Sequence, residues 1–496
     1  MQTFRSDDLY DQRLISQVHP PDWHNPEPAK RYNLAVIGAG TAGLVCAAGA
    51  AGLGAKVALI ERELMGGDCL NFGCVPSKSL LAAARLAEIA RRGKALGVAA
   101  NPGHVDFAAI MDSVHKVIAA IAPNDSVERF ERLGVRVLRA EARFTRPDTV
   151  RAGEIEIRPR RFVIATGSHP AVPAIPGLDR VPYLTNETIF ANRERPEHLL
   201  VIGGGPIGIE MAQAHRRLGA QVTVFDFGPL LPRDDPELVT LLARRLTSEG
   251  ITTRPKSEII GIEREGEGVV VHLTSKERIM GSHLLIAAGR RPSIEALDLP
   301  AAGIEAGAKG ITVDARLRTT NRRAFAVGDV AGGPQFTHIA NYHAGIVIRN
   351  ALFRLPARVD YRALPWVTYT DPELAQVGST EAAVRADGED VRVLRWPFVE
   401  NDRAQTERDT EGLVKIVLQR NGRVLGASIL SAGAGDLILP WALAISQKLK
   451  IGALANLIVP YPTRSEASKR AAACYYTPTL FSPRTRRVVR FLAHFG

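Results

Sequence analysis

Two cysteines separated by four residues, Cys69 and Cys74, are the side chains in this sequence best suited to redox chemistry. They lie in the segment 66–78, which reads GGDCLNFGCVPSK. Two thiols at this spacing can close a small disulfide, and a dithiol–disulfide pair exchanges two electrons, the equivalent of one hydride. The alternative is two buried, unreactive cysteines, which the flanking glycine pair and the Pro-Ser-Lys sequence disfavour. We therefore predict a redox-active pair.

The residues around the thiols indicate which of them is activated. The sequence from Val75 onward predicts a helix, so Cys74 should lie at its start, where a thiolate is stabilised. Cys46 is predicted to be a packing residue, and Cys474 is solitary. Four cysteines in 496 residues are too few for a secreted disulfide scaffold. Because acidic residues occupy the place where a signal peptide would have an apolar core, we predict a cytoplasmic protein.

A glycine-rich motif lies upstream of the cysteines. Residues 32–37 predict a short buried strand that leads into Gly38, Gly40 and Gly43. Gly38 allows a tight turn, Gly40 lets the backbone approach a pyrophosphate, and Gly43 permits close packing of the helix on the strand. The helix N-terminus adds positive potential. The next strand ends on Glu61, which would accept hydrogen bonds from an adenosine ribose.

The same arrangement recurs with Gly203, Gly205 and Gly208, followed by a strand that ends on Asp226. In both copies the acid follows the first glycine by 23 residues, and such a repeat is far more specific than a single motif. Asp226 would bind both ribose hydroxyls of NADH and repel the additional phosphate of NADPH. Arg233 lies a few residues further on and could bind that phosphate, so NADPH is the alternative. We predict that NADH is preferred.

Three further apolar strands end in glycine turns. The first ends at Thr166 and Gly167, the second at Gly289, and the third at Asp329. A carboxylate at the position of Asp329 could bind a second polyol, such as the ribityl chain of a flavin, although an N-cap aspartate is the alternative. We predict that Thr166, Gly167 and Asp329 bind FAD and that Gly289 belongs to the NAD(P)H site.

The overall composition is that of a globular protein, with a formal net charge of +11. The basic balance indicates a solvated surface, with a groove for anionic dinucleotides as the alternative. No nucleic-acid-binding motif accompanies the charge. The apolar run 34–60 contains several glycines and Lys56, so a strand–turn–helix–strand explains it better than a membrane span. We therefore predict neither nucleic acid nor a membrane among the partners.

These patterns predict an α/β protein with two Rossmann-like dinucleotide-binding domains and a C-terminal α+β domain. Residues 33–185 and 281–355 would form the FAD-binding domain, and residues 186–280 the NAD(P)H-binding domain. From about Tyr361 onward, β-rich segments alternate with helical ones, and we assign residues 356–475 to the third domain.

Two segments lie outside the predicted domains. Residues 1–32 are polar and contain several prolines, which indicates an extension on the surface rather than a domain. Residues 476–496 are basic and mildly amphipathic, which favours a surface helix over a membrane-binding or partner-binding peptide.

The cysteine motif and the paired glycine motifs resemble those of class I pyridine nucleotide–disulfide oxidoreductases, the group of dihydrolipoamide dehydrogenase, glutathione reductase and mercuric reductase. The resemblance covers about residues 33–480. It implies FAD, NAD(P)H and dimerisation domains in a homodimer whose active sites draw on both subunits. It also implies that Cys69 is the exposed interchange thiol and that Cys74 forms the charge-transfer contact with the flavin. Lys78 and Glu210 match the pair that family members place near the flavin and nicotinamide.

The sequence departs from the disulfide-reducing members at one position. Those members carry a histidine, oriented by a glutamate, as the acid/base for the interchange thiol. Here Glu466 matches the glutamate, but Tyr461 occupies the position of the histidine. Tyrosine has an unperturbed pKa of about 10, against about 6.5 for histidine, and losing a general base costs roughly 10²–10⁴ in rate. Ordinary disulfide reduction is therefore disfavoured.

Mercuric reductase also resembles this chain in having a tyrosine at that place, and reduction of a thiol-bound metal ion needs no proton for a leaving sulfur. The vicinal cysteine pair and the N-terminal Cys-x-x-Cys module that deliver the metal in that family are, however, absent from this sequence. Tyr461 could be a weak ligand, a hydrogen-bond donor or a filler of the histidine cavity. We predict no resident metal site.

The sequence as a whole predicts an FAD-dependent, NADH-preferring oxidoreductase. A hydride would pass from nicotinamide to flavin and then to the Cys69–Cys74 disulfide, and the dithiol would reduce an external acceptor. The favoured acceptor is a soft metal ion such as Hg(II). The alternative is a small-molecule, protein or lipoyl-type disulfide, with Tyr461 or another residue replacing the histidine. A non-catalytic flavin-binding partner protein is disfavoured, because it would need neither the thiols nor both glycine motifs.

Overall fold

Helices and strands alternate along most of the chain. The computed structural model describes residues 4–29, 31–98 and 105–495. The helices are α1 (Leu9–Val18), α2 (Thr41–Gly52), α3 (Gly67–Asn71), α4 (Cys74–Arg92), α5 (Phe107–Ile121), α6 (Val127–Arg132), α7 (Pro206–Arg217), α8 (Pro236–Ser248), α9 (Thr337–Ala351), α10 (Glu381–Ala386), α11 (Asp402–Thr406), α12 (Ala434–Leu437), α13 (Leu439–Ser446), α14 (Gly452–Ala455), α15 (Ser465–Ala473), α16 (Thr477–Leu480) and α17 (Pro483–Leu492).

The strands are short and occur in both halves of the chain. In chain order they are β1 (Leu34–Ile37), β2 (Val57–Glu61), β3 (Val135–Arg139), β4 (Ala142–Arg146), β5 (Thr149–Ala152), β6 (Ile155–Ile157), β7 (Arg161–Ile164), β8 (Ser168–Pro170), β9 (His198–Ile202), β10 (Gln221–Phe225), β11 (Ile251–Arg254), β12 (Ile259–Glu265), β13 (Gly268–Leu273), β14 (Arg278–Gly281), β15 (His283–Ile286), β16 (Arg290–Pro292), β17 (Ala306–Gly307), β18 (Gly310–Ile311), β19 (Ala324–Ala326), β20 (Pro365–Thr368), β21 (Glu373–Gly378), β22 (Val391–Pro397), β23 (Leu413–Gln419) and β24 (Val424–Ser431).

The chain divides into two units. The first comprises residues up to 203, residues 214–227 and residues 257–359, and the second comprises residues 204–213, residues 228–256 and the chain from 360 onward. The finer division into separate FAD, nicotinamide and third domains stays a prediction.

The first unit contains a five-stranded parallel sheet in the order β19-β7-β1-β2-β3. All four residues of β1 are buried, as expected for a parallel strand covered on both faces. Ile37 pairs with Ile60 of β2 and with Ile164 of β7, and Ile164 pairs with Ala326 of β19. The carboxyl ends of these strands therefore align at one edge of the sheet, and the first glycine motif follows directly from that edge.

A second parallel arrangement in the same unit repeats this pattern. β9 lies between β10 and β15, with Ile202 opposite both Phe225 and Ile286. An antiparallel sheet of β12, β13 and β14 follows, and five of its buried apolar residues belong to the same apolar cluster as residues of β9 and β15.

The second unit contains a five-stranded antiparallel sheet in the order β20-β21-β24-β23-β22. Trp441 of α13 is fully buried in the apolar cluster of this sheet, and its indole N–H donates to Ser468 Oγ of α15 at 3.1 Å. Helices packed on an antiparallel sheet make this part α+β. The predicted fold class, α/β with a C-terminal α+β region, is confirmed.

The N-terminal segment contains a helix, α1, that packs against α5. Leu14 and Val18 are buried, and the carboxylate Oδ1 of Asp11 lies 2.5 Å from His115 Nδ1 of α5. The predicted surface extension thus includes an anchored amphipathic helix. Within the described ranges, no helix combines the length and hydrophobicity needed to traverse a bilayer.

Candidate active site

The first glycine turn is held so tightly that side chains are excluded from it. Gly38 has a φ of +100°, and a Cβ placed there would lie 2.5 Å from the carbonyl oxygen of Ala165. The amide of Gly38 donates to the carbonyl of Ile60 at 2.8 Å. A Cβ on Gly43 would lie 1.8 Å from the carbonyl oxygen of Gly38. Gly40, the N-cap of α2, completes a turn that brings bare backbone to the end of β1.

The second glycine turn has the same geometry. Gly203 has a φ of +121°, its amide donates to the carbonyl of Phe225 at 2.8 Å, and a Cβ would lie 2.2 Å from the carbonyl oxygen of Ala287. Gly205 has open space at its Cβ position, and Gly208 lies in the first turn of α7. The repeat predicted from spacing is therefore also a repeat of backbone geometry.

The acids that end the second strands have different surroundings. Glu61 accepts from the amide of Ala39 at 2.6 Å and from the amide of Glu63 at 2.8 Å. Burial raises the pKa of Glu61, although these two bonds oppose the shift. Asp226 follows β10 and is partly exposed, and the next residue, Phe227, is exposed. Glu61 thus stabilises the first glycine turn through these two hydrogen bonds. Its predicted binding of the adenosine ribose stays a prediction.

The glycine pair before the cysteines lies against the first turn. The amide of Gly66 donates to the carbonyl of Ala39 at 2.9 Å. A Cβ on Gly67 would lie 2.6 Å from Gly40 Cα. The close approach requires glycine, and it fixes the cysteine segment beside the dinucleotide turn.

Cys69 and Cys74 lie on consecutive helices, Cys69 within α3 and Cys74 as the first residue of α4. Their thiols are hydrogen-bonded, which lowers the pKa of Cys74 to about 6 and raises that of Cys69. Thr337, whose Oγ1 lies 3.2 Å from Cys74 Sγ, lowers the pKa of Cys74 further, as does the charge of Lys78 one turn along α4. Cys74 is therefore the thiolate, and Cys69 holds the proton.

The two thiols differ in exposure. Cys69 is half-buried and Cys74 is exposed in the single chain, and their predicted roles, with Cys69 as the interchange thiol and Cys74 at the flavin, stay predictions. The reason is local, because Cys69 lies inside the short helix that packs against the first turn, and Cys74 begins the following helix.

Asp329 belongs to a charged cluster that the sequence did not reveal. Ser168 Oγ donates to Asp329 Oδ2 at 2.6 Å. The guanidinium of Arg290 lies 3.7 Å from that oxygen and 3.3 Å from Asp68 Oδ1. Burial raises the pKa of Asp329, and the bond from Ser168 and the charge of Arg290 oppose that shift. Because Asp68 precedes Cys69, Arg290 links the cysteine segment to Asp329.

The turns after β7 and β15 are joined to each other. Thr166 Oγ1 donates to the carbonyl of Ser293 at 2.6 Å, and the amide of Ser293 donates to the carbonyl of Gly167 at 3.0 Å. The carbonyl of Gly289 accepts from the amide of Ala171 at 2.9 Å. Gly289, which we assigned to the nicotinamide site, is thus hydrogen-bonded to the residue after β8, the strand that follows the Thr166–Gly167 turn.

The remaining predicted site residues lie in the second unit. Glu210 is buried in α7 and accepts from the amide of Tyr369 at 2.9 Å. Tyr461 is 69% exposed, and its hydroxyl donates to Asp402 Oδ2 at 2.9 Å, which raises the pKa of Tyr461. Glu466 lies in α15, 3.5 Å from the guanidinium of Arg470. The hydroxyl of Tyr461 is thus bonded to Asp402, which sequence reasoning missed, rather than to Glu466.

The two glycine turns fit dinucleotides. Each places a side-chain-free backbone at the carboxyl end of a parallel strand and at the start of a helix, the arrangement that accepts a pyrophosphate. The cysteine segment lies beside the first of these turns, held there by the hydrogen bond from the amide of Gly66 to the carbonyl of Ala39.

Comparison with known proteins agrees with this geometry. Residues 32–344 match the family described as pyridine nucleotide-disulphide oxidoreductase, and residues 364–472 match its dimerisation domain. The chain is 36% identical over 457 residues to the mercuric reductase of Bacillus cereus, covering 91% of this chain and 72% of that protein. It is 34% identical over 456 residues to the dihydrolipoyl dehydrogenase of Bacillus subtilis strain 168, covering 88% and 95%.

A solved structure is similar as well. The Cu(II) complex of the HOCl-induced flavoprotein disulfide reductase RclA from Escherichia coli superposes with a TM-score of 0.81 at 29% identity, covering 89% of this chain and 99% of that one.

The fold and the dithiol beside a dinucleotide turn define an FAD-dependent oxidoreductase that acts on a disulfide or a metal. The chain belongs to the pyridine nucleotide–disulfide oxidoreductase family, as its motifs predicted. The cofactors of this family are FAD and NAD(P)H, and the dimerisation domain supports a homodimer.

Proposed function

We propose that this chain uses NADH to reduce a soft metal ion, such as Hg(II), through the Cys69–Cys74 dithiol. The observation that supports this acceptor is the hydrogen bond from Tyr461 to Asp402. The carboxylate raises the pKa of the phenol above its ordinary value. Tyr461 therefore keeps its proton near neutral pH and is a poor base, so an acceptor that needs no base suits this site best.

The two thiols have the properties that metal reduction requires. Cys74 is a thiolate at neutral pH, and Cys69 releases its proton to solvent when a soft metal ion binds its sulfur. Closing the S–S bond between the two sulfurs releases two electrons, which convert Hg(II) to Hg(0). FAD, when bound, supplies the two-electron transfer from nicotinamide that restores the dithiol. No thiolate leaves during metal reduction, so no residue has to donate a proton to a leaving sulfur.

The site residues divide between cofactor and thiol functions. Gly38, Gly40, Gly43, Glu61 and Asp329 would hold FAD. The exposed sulfur of Cys74 would lie toward the flavin, and Cys69 would be the thiol that binds the acceptor.

Asp226 carries the preference for NADH in this proposal. It directly follows β10, where a carboxylate can accept from both ribose hydroxyls, and the exposed residue after it, Phe227, offers no charge to an additional phosphate.

A disulfide acceptor is the second candidate, and a specific observation favours it. Reduction of a disulfide forms a mixed disulfide and releases a thiolate that must take up a proton. Tyr461, which holds its proton, could donate it as a general acid. The similarity to a dihydrolipoyl dehydrogenase supports this alternative.

The deciding experiment is NADH consumption by the FAD-loaded enzyme in excess thiol, with Hg(II), lipoamide or glutathione disulfide as acceptor. Hg(II)-dependent turnover that is lost in Cys69→Ser and kept in the control Cys474→Ser would support metal reduction. Turnover with a disulfide alone would reject it in favour of the second candidate.

A further inference from the structure

Helix α17 is strongly amphipathic. At about 100° per residue, three of its arginines lie opposite its apolar residues, and Arg484 in the first turn falls near the edge of the apolar side. The rings of Phe491 and Phe495 are 5.2 Å apart, so the turn after the helix continues its apolar side. The basic side carries Arg486, Arg487 and Arg490, and the apolar side carries Val488, Val489, Phe491, Leu492 and Phe495.

No part of the chain that the structure describes covers the apolar side. Its five side chains are exposed by 56% to 75%. Leu480 and Phe481, just before the helix, are also exposed, by 57% and 65%. Apolar patches of this kind, rimmed by charge, mark an interaction surface.

The C-terminal segment that contains α17 carries only basic charged side chains. Residues 467–496 contain six Lys or Arg residues and no Asp or Glu, although the whole chain has 63 basic and 52 acidic residues. The partner that complements both faces must present apolar and anionic groups together. A membrane surface with anionic phospholipids does so, because acyl chains lie just below a layer of phosphates.

We propose that α17 is an interfacial anchor that lies in the headgroup layer of a membrane containing anionic phospholipids. Its apolar side would enter the boundary of the acyl chains, and its arginines would contact lipid phosphates. The sequence alone favoured a surface helix without a membrane partner. The proposal departs from that prediction because the apolar side of the helix is exposed in the described residues.

A second copy of the chain is the competing occupant. The residues that match the dimerisation domain are 364–472, and α17 lies beyond them. A second copy would bring the same positive charge against the helix, so a membrane surface with anionic phospholipids is the better match.

The test is co-sedimentation of the full-length, FAD-loaded protein with phosphatidylcholine vesicles that contain or lack phosphatidylglycerol. We expect binding only when phosphatidylglycerol is present, and less binding at high salt. Arg490→Gln should lower the partition coefficient about fivefold, and Leu492→Asp should abolish binding. Matched controls outside the helix are Arg322→Gln and Ile260→Asp, since both residues are exposed and Ile260 has an exposure of 53%.

The rate of NADH oxidation is the control for folding of the Leu492→Asp variant. It should match that of the unmodified protein. Absence of binding to both vesicles, or equal loss in the control variants, would overturn the proposal. An assembly larger than a dimer that reverts to a dimer in Leu492→Asp, without vesicle binding, would assign the surface to a second copy.

Discussion

The sulfur of Cys74 lies 3.2 Å from the hydroxyl oxygen of Thr337, a residue 263 positions along the chain. Thr337 is the first residue of α9, the helix that packs against α2 of the dinucleotide turn. The hydrogen bond from Cys69 is the largest cause of the lowered pKa of Cys74, and the bond from Thr337 adds to it. The thiolate is therefore stabilised by both a near and a distant residue.

Replacing Thr337 should make Cys74 harder to ionise. The reduced protein should show one thiolate with a pKa of about 6. Thr337→Val removes a hydrogen bond to a charged sulfur and should raise this pKa by about one unit. The measurement is ultraviolet thiolate absorbance against pH. Thr337→Ser keeps the hydroxyl and should titrate like the unmodified protein. An unchanged titration in Thr337→Val would show that the bond from Thr337 does not contribute to the lowered pKa.

Gly43 and Gly52 of α2 should respond differently to the same substitution. Gly43→Ala would place a methyl group 1.8 Å from the carbonyl of Gly38, whereas a methyl group on Gly52 meets nothing within 4 Å. We expect Gly43→Ala to lose about 1–3 kcal/mol of stability and most bound FAD. Gly52→Ala should be neutral or more stable by about 0.5–1 kcal/mol. Thermal unfolding and flavin content are the measurements, and normal FAD content in Gly43→Ala would contradict this account of the turn.

Asp226→Ala should narrow the preference for NADH. Loss of charge-assisted hydrogen bonds to the ribose, each worth about 1.5–3 kcal/mol, should lower the NADH to NADPH ratio of kcat/KM by roughly 10-fold or more. Arg233→Ala is the comparison, because it should lower only the use of NADPH if that arginine binds the phosphate. Unchanged selectivity in Asp226→Ala would reject the role assigned to this acid.

Tyr461→His should increase disulfide reduction. The substitution supplies a side chain with a pKa near 6.5 in place of a phenol whose pKa is raised by Asp402. We expect a gain of at least about tenfold in NADH-dependent turnover with lipoamide or glutathione disulfide. Tyr461→Phe removes the hydroxyl without adding a base and should show no such gain. If Tyr461→His also shows none, the surrounding cavity rather than the missing base limits the reaction.

The anchoring of α1 should weaken as the pH rises. Burial by itself lowers the pKa of His115, but its hydrogen bonds to Asp11 and to the carbonyl of Phe190 outweigh burial, and the net pKa is raised even though Arg193 opposes it. A raised pKa stabilises the folded state fully below the unfolded value of about 6.5, and this contribution is lost as the pH passes through the folded value.

The comparison of His115→Gln with the unmodified protein tests this sign. The difference in unfolding free energy, from urea denaturation, should be largest below about pH 6.5 and should shrink at higher pH. Asp11→Asn should remove most of that pH dependence. A difference that grows with pH would mean that His115 is neutral in the folded protein.

The sequence determined the chemistry that depends on local backbone. Only glycine can occupy positions such as Gly38 and Gly43, where a Cβ would overlap a carbonyl oxygen, so the two dinucleotide turns are visible as spacing alone. The cysteine pair and the start of α4 at Cys74 were predicted for the same reason, because they depend on residues within one short segment.

Only the tertiary structure decided which residues distant in sequence form hydrogen bonds or ion pairs with the site residues. Thr337 at Cys74, Arg290 between Asp68 and Asp329, and Asp402 at Tyr461 have no signature in the sequence, because a lone threonine, arginine or aspartate is common on any surface. The exposure of the apolar side of α17 was likewise not predictable, since burial depends on which elements pack together rather than on the local sequence.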